Sequence, residues 1–225
     1  MRIGATARCT YCSRNGYDAS VAALVTAIRE AEQHPAAIEA DRRCDLSADD
    51  HRATKLLVCE LAGVDDGLAI ELERTYGDFA TYSAYPEVVE VVTALAADHV
   101  KIAIVSDFHV DLRPHLASLG LLDLISGFAL SCEIGVAKPH PMMFQAALEM
   151  VGVAPERCLM VGDNPTPDTG ASAMGIATLI LPLQRAPRPP VAATRALAGR
   201  CGIRSPLISA TTQWVDDSTP RTRRA

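Results

Sequence analysis

Hydrophobic and polar positions change their spacing near residue 98, which divides the chain into two parts. Before that point, apolar residues recur three and four positions apart, as they do on one face of an α-helix. A capping-box-like segment, Gly63 and Pro86 add helix start and stop signals to this part. The stripes are Val21/Leu24/Val25/Ile28, Ala53/Leu57/Leu61 behind 47–50, Leu68/Leu72/Tyr76/Phe79, and 87–95 behind Pro86. The first part is therefore predicted to be a small helical bundle.

The second part alternates short apolar runs with helical patterns. Its apolar runs, each four or five residues long, are 101–105, 127–130, 158–161 and 177–181. The helical patterns between them are Leu112/Leu116/Leu119, Phe144/Ala147/Leu148/Val151 and a short one after Asp168. Strands that alternate with helices are typical of right-handed βαβ units and a parallel sheet. The predicted fold class is therefore α/β, with a doubly wound, Rossmann-like parallel sheet.

Changes in composition predict four segments along the chain. The segments are an atypical N-terminus (1–16), the helical part (17–85), the α/β part (86–182) and a C-terminal segment (183–225). Three prolines at 187, 189 and 190 predict an extended linker at the start of the last segment. Residues 192–198 could form a further helix, and the last dozen residues are expected to be disordered.

Composition narrows the classes of function. The net charge of −6 argues against a nucleic-acid surface, and the one basic cluster is the short tail RTRRA. No apolar run approaches the roughly 18 residues of a membrane span, and the start lacks the apolar region of a signal peptide. Seven cysteines without a framework spacing predict reduced thiols and a cytoplasmic location.

Cys9 and Cys12 have C-x₂-C spacing, typical of a redox pair or half a zinc site, but no second pair or histidine pair nearby completes it.

Three loops at the carboxyl ends of predicted strands carry the candidate chemistry, because parallel sheets bind ligands at that edge. Ser106 and the N–H groups after it can hold a phosphate oxygen, or the serine simply caps a helix. Lys138, fixed between a glycine turn and a proline, can neutralise phosphate charge, or it is a solvated lysine. Asp163 offers an oxygen ligand to Mg²⁺, and Asp168 can join the outer metal shell or orient the lysine; turn and N-cap roles are the alternative. His109 is close enough to Ser106 to contact a substrate, but the favoured interpretation is a solvated loop histidine.

The order and strand context of these residues resemble the haloacid dehalogenase superfamily of hydrolases, in its phosphatase-like branch with a helical cap. In that family a Ser or Thr ends a strand, as Ser106 does. A lysine stands in a Gly-x-x-Lys-Pro setting, as Lys138 does, and two acids have Gly-Asp-x-x-x-x-Asp spacing, as Asp163 and Asp168 have. The resemblance covers roughly residues 17–182 and implies that the helical part is the cap.

The resemblance also implies a function. It implies a Mg²⁺-dependent phosphatase that acts on a small phosphorylated metabolite, with substrate contacts from Ser106, Asp107 and Lys138. Asp163 would bind the metal, and Asp168 would support both Lys138 and the metal shell. Asp107 departs from the family, in which Asn is common at that position. An extra negative charge beside a phosphate site is unfavourable unless it points away or meets a cation.

A second departure concerns the nucleophile. The family's first motif is a strand followed by Asp-x-Asp, and no apolar strand in residues 1–16 ends in an aspartate. Loss of an essential nucleophile usually removes orders of magnitude of rate, so little or no phosphatase turnover is expected from this chain. Dehalogenation would need the same aspartate. Besides an impaired hydrolase, the interpretations are an inactive domain that binds a ligand or a protein partner, and a product truncated upstream of Met1. Truncation is favoured as the explanation of the gap, because every later motif is intact.

The absent motif also has a structural consequence. In the family, the first strand lies mid-sheet, between the strand that ends at Ser106 and the strand that ends at Asp163. The sequence therefore predicts one of two arrangements. Either residues 2–9 fill the central position poorly, or the two flanking strands pair directly and compress the site.

Overall fold

The computed structural model describes residues 21–77, 84, 87–181 and 205–209. The chain divides into two compact units, which we call the helical unit and the α/β unit. Of the described residues, the helical unit comprises 21–44, 49–77 and 84, and the α/β unit comprises 45–48, 87–181 and 205–209. No helix of the described part is long and apolar enough to cross a membrane.

Helices form the described part of the helical unit. They are α1 (Val21–Ala31), α2 (Pro35–Asp41), α3 (Ala48–Leu61, whose first residue belongs to the α/β unit) and α4 (Asp66–Gly77). The predictions of α1, α3 and α4 are confirmed, and Gly63 follows α3 with a φ of 66°. The short helix α2 was not predicted. It begins at Pro35, directly after His34, whose ring accepts a hydrogen bond from the Ala36 N–H at 3.2 Å.

The buried face of α3 differs from the predicted one. Ala53 and Leu61, which the apolar stripe placed on the packed face, are exposed, whereas His51 and Thr54 are buried. Thr54 tolerates burial because its hydroxyl donates to the Asp50 carbonyl at 2.8 Å within α3 and also lies 3.2 Å from the Ala40 carbonyl of α2. The predicted stripe is wrong because polar residues with internal partners can occupy a packed helix face.

The α/β unit contains one sheet with helices and 3₁₀ turns between its strands. Its elements are α5 (Val88–Ala97), β1 (Ala103–Ser106), α6 (Arg113–Ser118), β2 (Gly127–Leu130), α7 (Ser131–Ile134), α8 (Pro141–Val151), β3 (Cys158–Gly162), α9 (Pro165–Asp168), β4 (Ala177–Ile180) and β5 (Ser205–Ser209). The 3₁₀ turns are Leu122–Leu124, Pro155–Arg157 and Thr169–Met174. The four predicted strands agree with β1 to β4 within one or two residues at each end. The prediction of an α/β fold with a parallel sheet is confirmed.

The sheet has the order β2-β1-β5-β3-β4, and its paired strands are all parallel. The C-terminal strand β5 therefore occupies the central position, with Val105 opposite Ser209 on one side and Val161 opposite Ile208 on the other. The sequence predicted no strand in this segment. The expectation that β1 and β3 pair directly is wrong, because β5 lies between them.

Several predictions fall on residues outside the described part. They are the packing of 2–9 into the sheet, the Cys9–Cys12 pair, Phe79 of the fourth stripe, the Pro86 helix start, the linker at 187–190, the helix over 192–198 and the disordered tail.

Helix α8 covers one face of the sheet and fixes the strands that carry the site. Met143, Phe144, Ala147 and Val151 of α8 are fully buried in a cluster with apolar residues of β1, β2 and β3. Full burial of a side chain such as Phe144 contributes about 1.5–3 kcal/mol. This packing holds the carboxyl ends of β1, β2 and β3 in fixed positions, and the candidate residues lie at or after those ends.

Candidate active site

The candidate residues lie at the carboxyl edge of the sheet. Ser106 is the last residue of β1 and is fully buried. Asp163 follows β3, and Asp168 is the last residue of α9, one helical turn later. Lys138 lies in the loop between α7 and α8. Hydrogen bonds join Asp107, Lys138, Asp163 and Asp168 into one network.

A buried ion pair forms the centre of this network. Lys138 Nζ lies 2.7 Å from Asp168 Oδ1, and neither side chain is exposed. The other carboxylate oxygen, Oδ2, accepts the backbone N–H groups of Asp163 at 3.1 Å and of Asn164 at 3.0 Å. Charge-assisted bonds of this kind are roughly twice as strong as neutral ones. Asp168 therefore fixes both the ammonium of Lys138 and the turn that carries Asp163.

Asp107 holds the backbone of the lysine. The Lys138 N–H donates to Asp107 Oδ1 at 2.8 Å. Burial raises the pKa of Asp107, while the Lys138 charge and this hydrogen bond oppose the rise and the Asp168 charge adds to it. The carboxylate of Asp107 thus has the Lys138 ammonium and the Lys138 N–H close by. An extra negative charge beside a phosphate site was expected to need such a cation, and Lys138 provides it.

Glycine at position 162 is required by the close approach of Asp168. A Cβ atom at Gly162 would lie 2.5 Å from Asp168 Cγ, well inside contact distance. A second close approach occurs at Gly170, where a Cβ would lie 2.7 Å from the Cβ of Pro139 in the lysine loop. Two glycines therefore let the segments that carry Asp168 pack against β3 and against the loop of Lys138.

Ser131 is a further positioning residue, which the sequence reasoning missed. Its side chain is fully buried, and its hydroxyl accepts the Phe108 N–H at 3.0 Å and donates to the Asp45 carbonyl. The loop after β1 is thereby tied to residues 45–48. One sequence signal was available, because Ser131 directly follows the apolar run of β2, as Ser106 ends that of β1. His109 in the same loop is 5% exposed, so its interpretation as a solvated histidine is wrong.

The oxygen atoms at this edge fit a hard divalent cation. Mg²⁺ is usually bound through one or two carboxylates while it keeps several waters. Asp163 supplies a carboxylate whose Oδ1 is buried at the end of β3. Both oxygens of Asp168 already bind N–H donors. The residues present therefore fit Mg²⁺ with Asp163 as the direct ligand and Asp168 as a positioning residue.

Comparison with known proteins shows which family the chain belongs to. The family model for haloacid dehalogenase-like hydrolases matches residues 15–175. The chain belongs to this family. The resemblance stated from the sequence motifs is therefore confirmed, as is the Rossmann-like core.

Relatives within the family include named phosphatases. The chain is 35% identical over 106 residues to a phosphoserine phosphatase of Thermus thermophilus, covering 46% of this chain and 43% of that protein. It is 32% identical over 117 residues to a phosphoglycolate phosphatase of Rhodospirillum rubrum, covering 52% and 48%. The chain thus spans about half the length of the curated relatives it matches.

A solved structure supports the fold. The 2-haloacid dehalogenase from Pseudomonas syringae pv. Tomato DC3000 aligns with a TM-score of 0.52 at 20% identity, over 84% of this chain and 86% of that chain. At this identity the likeness concerns the fold alone.

Proposed function

We propose that the α/β unit is a phosphate-binding core of Mg²⁺-dependent phosphoric monoester hydrolase ancestry, that its ligand is a small phosphorylated metabolite, and that the protein acts in the cytoplasm. The observation that carries this proposal is the buried Lys138–Asp168 pair beside Asp163 at the carboxyl edge of the sheet. A fixed, desolvated ammonium is suited to neutralise phosphoryl oxygens. The relatives named as phosphatases support the same class of substrate.

The residues have distinct roles in this proposal. Ser106 donates a hydrogen bond to the phosphoryl group, and Lys138 neutralises its charge. Asp107 keeps the Lys138 backbone beside the substrate, and Asp168 aims the ammonium. Asp163 would hold Mg²⁺, which when bound supplies positive charge to the phosphoryl oxygens.

We further propose that this chain binds the ligand with little or no turnover. Relatives of the phosphatase branch place an Asp-x-Asp nucleophile motif after the central strand, and here that position belongs to β5. The sequence after β5 is Ala210-Thr211-Thr212, and none of the five described strands is followed by Asp-x-Asp. A binding module of hydrolase ancestry is the function that best accommodates both the network and this sequence.

Two measurements on the full chain test the proposal. Calorimetric titration with inorganic phosphate in the presence of Mg²⁺ is expected to give saturable heat that Asp163→Ala abolishes. The exposed Asp123→Ala variant is the matched control, because it removes a carboxylate elsewhere in the same unit. Hydrolysis of p-nitrophenyl phosphate is expected to stay at background.

Two results would contradict the proposal. Robust Mg²⁺-dependent hydrolysis that Asp163→Ala abolishes would refute the low turnover and would point to a nucleophile outside the described residues. A folded protein that shows neither heat nor hydrolysis would refute the phosphate site itself.

A further inference from the structure

A buried thiol and a buried imidazole contact each other in the helical unit. Cys44 lies in the turn that follows α2, and His51 lies in the first turns of α3. The Cys44 Sγ atom is 3.3 Å from His51 Nδ1. Cys44 is 3% exposed and His51 is 7% exposed. Both residues belong to the helical unit, and the proposed phosphate site uses neither of them.

We propose that Cys44 and His51 are two ligands of a zinc site. A tetrahedral zinc ion with Zn–S of about 2.3 Å and Zn–N of about 2.0–2.1 Å places its sulfur and nitrogen ligands about 3.5 Å apart. The observed separation of 3.3 Å is close to that spacing, and the two side chains are among those whose ligand atoms could hold a metal ion. Thiolate and imidazole are the two ligand types that structural zinc sites combine.

The backbone around the pair is already held in place. The Thr54 hydroxyl, one turn after His51, shares its hydrogen between the Asp50 carbonyl of α3 at 2.8 Å and the Ala40 carbonyl of α2 at 3.2 Å, so α3 contacts the end of α2 here. The turn that carries Cys44 follows that end, and its Cys44 N–H donates to the Asp41 carbonyl at 3.1 Å. Little rearrangement is then needed for the two ligand atoms to bind one ion. When zinc binds, the Cys44 thiol releases its proton to solvent and the thiolate forms the Zn–S bond.

The test uses the full chain, freed of metal under reducing conditions and then titrated with Zn²⁺ or Co²⁺. One zinc per chain is expected to remain after dialysis, and the Co²⁺ form is expected to show thiolate-to-cobalt charge-transfer absorption. Cys44→Ser and His51→Asn should each weaken zinc binding by more than tenfold. The matched control is Cys59→Ser, which removes a different buried thiol, located in α3, and should retain the ion.

A further variant distinguishes the zinc site from the phosphate site. Asp163→Ala should keep its zinc, so failure of the zinc proposal and failure of the proposed function are distinguishable. The proposal is overturned if the wild-type chain binds no zinc, or if Cys44→Ser and His51→Asn bind it as the wild type does. Should either variant fail to fold, a wild-type Co²⁺ spectrum without the thiolate band would overturn the proposal by itself.

Discussion

Replacing Asp168 with asparagine tests how strongly the buried ion pair holds the site together. The change leaves the Lys138 ammonium inside the protein without the carboxylate that contacts it at 2.7 Å. The asparagine also has one acceptor oxygen where the aspartate has two. Its amide nitrogen must therefore face either Lys138 or the N–H groups of Asp163 and Asn164, all of which are donors.

The expected loss of stability is large. Removal of one partner from a buried ion pair costs about 3–5 kcal/mol, and each buried donor left without an acceptor costs about 1–3 kcal/mol. Because both side chains are fully buried, we expect a value at the upper end, about 5 kcal/mol. For a protein of this size that corresponds to a fall in Tm of about 10–20 °C.

Urea and thermal unfolding of four proteins would measure the effect: the wild type, Asp168→Asn, Lys138→Met and the double variant. The double variant removes both charges of the pair, so its loss should be smaller than the sum of the two single losses by about 2 kcal/mol or more. Glu71→Gln is the control, because the Glu71–Arg74 pair is exposed and should contribute within about 0.5 kcal/mol. A loss below about 1 kcal/mol in folded Asp168→Asn, or additive losses in the double variant, would refute the reasoning.

Three further predictions concern the residues around this pair. Gly162→Ala places a Cβ 2.5 Å from Asp168 Cγ, so the displaced carboxylate should weaken phosphate binding at least tenfold in calorimetry. Asp107→Asn keeps an acceptor for the Lys138 N–H but removes a carboxyl whose pKa is raised on folding. As the pH falls, the folded wild type therefore binds this proton at a higher pH than the unfolded chain does. The free energy of unfolding of the wild type, measured with urea and compared with that of the variant, should increase from neutral to acidic pH. A difference that shrinks on acidification would contradict this. Ser131→Ala leaves a buried backbone N–H without its acceptor and should cost about 1–3 kcal/mol in urea unfolding, whereas no change would show that the loop is held by other contacts.

The strands that sequence could predict share one property. β1 to β4 are short apolar runs between helical patterns, and each was placed within one or two residues. β5 has the sequence Ser-Pro-Leu-Ile-Ser, in which two of five residues are apolar and Pro206 has no N–H to donate. Proline is typical of edge strands, yet β5 lies at the centre of the sheet, between β1 and β3. The local sequence pattern cannot predict such a strand, because its position in the sheet depends on pairing with β1 and β3, which are distant in the sequence.

The site residues that could be predicted from the sequence are those that follow the end of a predicted strand. Lys138, Asp163 and Asp168 follow a recognisable order of strand and loop, and their spacing suggested that an acid could orient the lysine. The hydrogen bonds of Ser131 join loops that are far apart in the sequence, so they could not be predicted from the spacing of residues along the chain. His51 and Thr54 were missed for a related reason, since a polar residue with an internal partner looks like a surface residue in an apolar pattern.

The central position of β5 dictates the order in which the sheet can be completed during synthesis. Val105 pairs with Ser209, so this ladder cannot form until residue 209 has left the ribosome. Until then, the β1–β2 pair and the β3–β4 pair each keep an inner edge of unpaired N–H and C=O groups. Such edges promote aggregation, and contacts so distant in sequence slow folding. The nascent chain should therefore depend on chaperones until β5 is inserted.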